Sequence, residues 1–237
     1  MSFSVVDSLK NALVKPHPAG HPFIAGGIIA TAVFMLFSGE LAWVALIYTL
    51  FCLYFFRDPV RVTPQKDSLV VAGGDGLISG IVPNVTLPTE IAADDDRRYT
   101  RVSTFLSVLD VHVNRNAVSG RVMRKVYVPG KFFNAELDKA SEDNERCSLI
   151  VETPSGQTVG VVQIAGLIAR RILNDVEEGE TVVAGARFGI IRFGSRVDIY
   201  LPDGINPLVC VGQRVIGGET IIADFENREP ARIGAVV

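Results

Sequence analysis

Gly194-Ser195 is the only Gly-Ser dipeptide in the chain, and it interrupts the strand-like run Gly189-Ile-Ile-Arg-Phe-Gly-Ser-Arg-Val-Asp-Ile-Tyr-Leu201. Glycine is poor material for a strand interior. It permits a strained backbone and leaves its carbonyl open to the hydroxyl that follows. The pair suits an N→O acyl shift, in which Ser195 Oγ attacks the Gly194 carbonyl carbon and the amide becomes an ester. Elimination of the ester leaves dehydroalanine, which hydrolyses to a pyruvoyl group. A plain β-bulge carrying a small residue accounts for the same two residues. The shift needs a base. His112 is the only histidine after His21, and Asp110 stands two positions before it. On a strand the two share a face, so Asp110 can orient His112 or support its charge. Residues i and i+2 stand about 6–7 Å apart along a strand, which does not guarantee a direct bond. A histidine hydrogen-bonded inside a β-layer is the plain alternative.

The wider segment Arg187-Phe-Gly-Ile-Ile-Arg-Phe-Gly-Ser-Arg-Val-Asp198 resembles the processing site of phosphatidylserine decarboxylases, in the short form of bacteria and archaea. Tyr54-Phe-Phe-Arg-Asp-Pro-Val-Arg61, Phe105-Leu-Ser-Val-Leu-Asp-Val-His-Val-Asn-Arg115 and Gln163-Ile-Ala-Gly-Leu-Ile-Ala-Arg-Arg-Ile172 resemble that family in order and spacing. The resemblance runs over about residues 50–225. It implies a proenzyme cut between Gly194 and Ser195 into a β chain and an α chain, which stay together as a heterodimer and leave room for a higher oligomer. It implies a covalent pyruvoyl group derived from Ser195 as the cofactor, with no metal and no pyridoxal phosphate. The substrate amine would form a Schiff base with that group, and phosphatidylserine would lose carbon dioxide to give phosphatidylethanolamine. One departure stands out. Longer members carry a second histidine in the segment after a Pro-Gly, as part of an Asp-His-Ser relay, whereas Pro129-Gly-Lys-Phe-Phe-Asn-Ala-Glu-Leu137 has Asn134 and Glu136 near that place. Either His112 serves as the processing base or another group does. Arg115, Arg170, Arg171 and Arg196 are candidates for the headgroup phosphate, because guanidinium grips phosphate as a fork. Ordinary salt bridging is the competing reading for each.

Composition removes other chemistries. A net charge of −3 gives no electrostatic case for nucleic acid. Three scattered cysteines and three histidines without ligand spacing argue against a disulfide framework and against a metal site. Gly73-Gly-Asp-Gly76 lacks the flanking pattern of a dinucleotide loop and reads as a β-turn.

Two kinds of sequence must position these residues. Between Pro22 and Phe56 the only charged residue is Glu40. Ser38-Gly39-Glu40 splits the run into Pro22–Phe37 and Leu41–Phe56, each spanning about 24 Å as helix against roughly 30 Å of hydrocarbon. This predicts an apolar helical hairpin that enters a membrane, fully or in part. Lys10, Lys15, Arg57, Arg61 and Lys66 flank it, which places both ends in the cytoplasm, on the inner face of a bacterial cell membrane. Trp43, Tyr48 and Tyr54 suit interfacial anchors, although plain packing explains them as well. A buried hairpin of a soluble protein is the other reading.

Beyond Arg57, short Val- and Ile-rich runs alternate with turn residues. Strands are expected at Leu69–Ala72, Leu77–Val82, Val102–Leu109, Val122–Val128, Ser148–Glu152, Thr158–Ile164, Arg187–Ile191, Arg196–Leu201 and Thr220–Ala223. A short helix is expected at Ala135–Asn144, and a solvated loop at Asp94–Arg98. Gly179–Phe188 and Gly212–Ile221 share the pattern G-x-x-V-x-x-G-x-x-apolar, a weak internal repeat of tight corners. The fold class is therefore mainly β (α+β), with a barrel-sandwich-like catalytic domain over 57–237 behind a membrane-associating helical region over 1–56. Two rivals remain open: a pyruvoyl decarboxylase of a soluble amino acid, and a non-enzymatic membrane-anchored barrel-sandwich module. A carrier module needs a modifiable lysine, and none follows Lys139.

Overall fold

Two apolar runs fold as helices because nothing polar interrupts them and a capping serine separates them. α1 spans His21–Met35, with Pro22 in its first turn, and α2 spans Gly39–Phe55. Ser38 caps α2, its Oγ accepting from the Leu41 N–H at 3.4 Å, and Glu40 sits favourably in the first turn. In the computed structural model the described residues are 14–92, 95–130, 144–166, 171–192 and 194–235. They form two compact units, Met1–Val60 and Arg61–Val237.

The hairpin packs through its small side chains. Ile24, Gly27 and Thr31 of α1 are buried, as are Ala42, Ala45, Thr49 and Cys52 of α2. A methyl group at Gly27 would collide with Thr49, so the backbones approach closely there. Thr31 and Thr49 donate their hydroxyls back to the carbonyls of Gly27 and Ala45, at 2.8 and 2.7 Å. Ile28, Ile29, Val33, Trp43, Val44, Ile47 and Leu50 point outward and are exposed. Small residues inside with large apolar residues outside is the packing of helices in lipid.

The second unit is β. In chain order its strands are β1 (Leu69–Val71), β2 (Gly76–Val85), β3 (Tyr99–Leu106), β4 (Val113–Arg115), β5 (Gly120–Val128), β6 (Arg146–Glu152) and β7 (Thr158–Ala165). There follow β8 (Ile172–Asn174), β9 (Thr181–Val182), β10 (Arg187–Ile191), β11 (Ser195–Pro202), β12 (Arg214–Val215) and β13 (Ile221–Asp224). An eight-stranded antiparallel sheet runs β12-β2-β3-β11-β7-β6-β5-β9. A three-stranded sheet, β4-β10-β8, and the pair β1-β13 complete the unit. One sheet face carries the main core of Ile78, Val102, Leu106, Val161, Val197, Ile199 and their neighbours. The other face packs Val162, Ile164 and Tyr200 under Leu87 and Ile91, the latter from the short helix α3 (Thr89–Ala92).

The internal repeat is structural. Gly179 and Gly185 flank β9, Gly212 and Gly218 flank β12, and all four have positive φ, between 77° and 88°. The valines between them, Val182 and Val215, are buried and pair with Gly120 of β5 and Gly76 of β2. The two repeat strands thus stand at opposite ends of the sheet, with β7 and β11 paired at its centre. The mainly β architecture with a helical pair ahead of it matches the sequence expectation. The nine expected strands are present, β10 with the expected ends and the other eight with shifted ends, while β4, β8, β9 and β12 were not anticipated, being only two or three residues long. The helix expected at Ala135–Asn144 lies outside the described residues apart from Asn144, which is not helical. Residues 95–98 form the expected loop, and Asp94 lies outside the described residues.

Candidate active site

Ser195 opens β11 and is wholly buried, paired across to Leu106 of β3 and Ala165 of β7. Gly194, just before it, has φ +70°, a left-handed backbone that only glycine adopts without strain. Space around it is not the constraint, since a Cβ there would come no nearer than 4.0 Å to Val108. The Gly194 carbonyl accepts the Gly166 N–H at 3.0 Å. The bond that the sequence marks for cleavage therefore has its carbonyl polarised by a backbone donor.

The His112 imidazole lies beside the Ser195 hydroxyl. Its Nδ1 lies 3.3 Å from Ser195 Oγ and its Nε2 lies 3.1 Å from the Ser107 carbonyl. A carbonyl only accepts, so Nε2 carries a proton, and in the neutral imidazole Nδ1 then presents its lone pair to the serine. β3 ends at Leu106, so residues 107–110 form a turn rather than the expected strand continuation. Asp110 organises that turn. Its N–H donates to the Ser107 carbonyl at 2.9 Å, and its Oδ2 accepts the Ser107 N–H at 2.9 Å. Its Oδ1 pairs with Arg214. Asp110 and His112 thus converge on Ser107, and the carboxylate shapes the turn whose carbonyl fixes the imidazole.

The four candidate arginines separate. Arg115 is buried, with a guanidinium N–H on the Gly185 carbonyl at 2.8 Å. Arg196 follows Ser195 in the strand and so points to the opposite sheet face. It is buried there in a two-pronged pair with Asp198, at 2.9 Å for each contact. Arg170 lies outside the described residues. Arg171 is exposed, and its carbonyl accepts the Arg192 N–H at 3.3 Å. Burial and the nearby Arg171 charge hold Arg192 below the ordinary guanidinium pKa. Two like charges thus stand close together near Gly194, and Arg192 was not singled out from sequence. Asn134 and Glu136 lie outside the described residues; next to that stretch, Asn144 and Glu145 are buried. Asn144 Nδ2 donates to the Ala165 carbonyl at 2.7 Å, and the Glu145 carboxylate accepts from Tyr127 and from the Ile172 N–H, at 2.9 and 3.0 Å. They brace the segment that carries Gly166. Among the described residues no group of three or more His, Cys, Asp or Glu side chains is placed to hold a metal ion.

The profile of the phosphatidylserine decarboxylase family matches residues 48–223. The chain is similar to a phosphatidylserine decarboxylase proenzyme of Granulibacter bethesdensis, 57% identical over 94% of this chain and 90% of the relative. It is also similar to a phosphatidylserine decarboxylase proenzyme of Nitrobacter winogradskyi, 52% identical over 92% of this chain and 88% of the relative.

Proposed function

The chain belongs to the phosphatidylserine decarboxylase family, and on that premise we propose that it is a self-processing proenzyme whose Ser195 becomes a pyruvoyl group. The observation that carries this reading is the juxtaposition at one peptide bond. Ser195 Oγ lies against the unprotonated nitrogen of His112, and the Gly194 carbonyl is held by the Gly166 N–H. Nδ1 takes the hydroxyl proton as Oγ bonds to the Gly194 carbonyl carbon. The Gly166 N–H faces the oxygen that gains charge, in a site shielded from bulk solvent. The C–N bond then breaks, the imidazolium returns its proton to the Ser195 nitrogen, and an ester links the two chains. Loss of the Ser195 Cα proton expels the Gly194 carboxylate and leaves dehydroalanine. Hydrolysis then releases ammonia and leaves the ketone. These residues fit the group, because burial of Ser195 protects the ester from premature hydrolysis.

A pyruvoyl group supplies the electron sink that decarboxylation of an α-amino acid needs. The chain supplies placement and protons. His112, beside position 195, would supply the proton wanted at the carbon that loses carbon dioxide. Arg171 and Arg192 offer paired forks to a phosphate, and relief of their mutual repulsion favours an anion between them. The exposed apolar face of the hairpin supports a substrate embedded in lipid, converted to phosphatidylethanolamine, rather than a soluble amino acid. Pro18–Met35 is long and apolar enough to cross a membrane. With basic residues at both ends, the hairpin would hold the protein on the cytoplasmic face of the bacterial inner membrane.

Intact mass tests the reading. Purified protein should separate into residues 1–194 and a 43-residue fragment, 195–237, whose N-terminus is blocked. Ser195→Ala should stay whole. Cleavage of that variant at the same bond would overturn the mechanism.

A further inference from the structure

A second set of polar groups, two of them buried and one partly buried, lies near the Ser195–His112 pair in the fold, and its hydrogen bonds have a direction. The Val176 N–H donates to Asn174 Oδ1 at 3.3 Å. That bond assigns oxygen and nitrogen on Asn174, whose Nδ2 donates to Gln163 Oε1 at 2.8 Å. Gln163 Nε2 in turn donates to Asn114 Oδ1 at 2.8 Å. A backbone N–H cannot be flipped, so the three amides are ordered one after another. What is left at the end is Asn114 Nδ2, fully buried and without a hydrogen-bond partner among the described residues. The fold makes room for this chain of amides at Gly189, where a side chain would collide with the Leu173 carbonyl and crowd Gln163.

The surroundings of the unpaired N–H belong to the active site. Asn114 is two residues beyond His112, and its partner Gln163 pairs with Val197, two residues beyond Ser195. Nδ2 faces Gly74, where a Cβ would sit 3.3 Å from it and 3.1 Å from Leu106 Cδ2. Leu106 is the cross-strand neighbour of Ser195. The absence of a side chain at Gly74 keeps the Asn114 amide and Leu106 from being crowded. Asp75, in the same turn, is held by Arg61 at 2.6 Å and by the Gly217 N–H at 2.8 Å.

We propose that Asn114 Nδ2 is the hydrogen-bond donor for the carboxylate of the substrate, a binding residue aimed at the group that leaves as carbon dioxide. The inference rests on the decarboxylase reading above. A serine headgroup carries its amine and its carboxylate on one carbon, so a headgroup presenting its amine to position 195 brings its carboxylate beside it. The phosphate lies further out, towards the lipid, and suits the exposed Arg171 rather than a wholly buried amide. A neutral donor also fits the chemistry. It orients the carboxylate without the charge pairing that would stabilise the ground state and be lost with carbon dioxide.

The test uses the processed full-length enzyme and two short-chain phospholipids, neither of which can condense with a ketone through an amine. One has the serine amine replaced by hydroxyl and keeps the carboxylate; the other has an ethylene glycol headgroup and lacks it. Asn114→Asp keeps the shape and the bond from Gln163 but replaces the N–H with an acceptor. It should cleave normally at Gly194-Ser195, bind the carboxylate lipid about 10- to 100-fold more weakly by calorimetry, and bind the glycol lipid as wild type does. KM for phosphatidylserine should rise in parallel, and binding should recover as acid protonates the new carboxyl. Asn114→Ala, which removes the donor without adding charge, should show the same loss without the recovery, and it serves where the Asp variant does not fold. Unchanged binding of the carboxylate lipid, equal losses on both lipids, or blocked cleavage would overturn the assignment. Failure of the wild-type chain to cleave or decarboxylate would instead sink the functional reading.

Discussion

His112 is decided by three atoms: the Ser107 carbonyl that takes its Nε2 proton, its own Nδ1, and the hydroxyl 3.3 Å away. Removing the imidazole should therefore stop processing. His112→Ala is expected to accumulate uncut chain on a gel, since a general base contributes about 10²–10⁴-fold. Asp110 acts at one remove, through the turn at Ser107, and Asp110→Asn should slow cleavage without abolishing it. Normal processing of the His112 variant would assign the base elsewhere. A turnover assay on any processed His112 variant separates its role in cleavage from a role in protonating the product. The pair was legible in sequence as residue types and spacing. The route between them was not, because strand alternation does not foresee the turn at residues 107–110.

At the scale of elements, the sheet has to keep β11 fixed from both sides, and its outer face is pinned by α3. Glu90 of that helix accepts from Arg146 at 2.7 and 3.2 Å and from Ser148 at 2.8 Å. Burial pushes the Glu90 pKa up, but the bonds from Arg146 and Ser148 outweigh it and hold the carboxyl below its ordinary value. A depressed carboxylate contributes stability that is present above the unfolded pKa and lost as pH falls through the folded one. Glu90→Gln should accordingly lower thermal stability at neutral pH, by about 1–2 kcal/mol for a partly buried pair whose acceptor oxygen is kept but whose charge is lost. The gap from wild type should close in acid, below the ordinary carboxylate range. A gap that persisted unchanged at pH about 3 would mean that packing, not charge, is what the substitution removes.

At the scale of the whole molecule, the two units present different surfaces. The β unit hides its reacting groups from water, whereas the hairpin turns Ile28, Ile29, Trp43, Val44 and Ile47 outward. A diacyl substrate drawn fully into water would expose methylenes at about 0.8 kcal/mol each, so an enzyme at the bilayer need lift only the headgroup. Deleting residues 22–56 should leave cleavage largely intact, since every group in it belongs to the β unit. Activity on bilayer phosphatidylserine should fall far more than activity on a short-chain, water-soluble analogue. Equal losses on both, or a full-length protein that stays soluble without detergent and ignores vesicles, would remove the anchoring role.

Local chemistry was written in the chain. Gly194-Ser195, the uncharged run broken at Ser38, the paired glycine corners at 179/185 and 212/218, and most strands follow from what neighbouring residues can and cannot do. Those signals depend on bonds within a few positions, where sequence and geometry are nearly the same thing. Tertiary structure decided the rest. Gly166 reaches the Gly194 carbonyl only because β7 lies beside β11, and Arg192 meets Arg171 across a backbone hydrogen bond. Asn114, Gln163 and Asn174 are separated by 49 and 11 residues and form one line only when the two sheets face each other. Their order, and the single N–H left over at its end, follows from a local bond of the Val176 N–H to Asn174 that only the fold relays to Gln163 and Asn114.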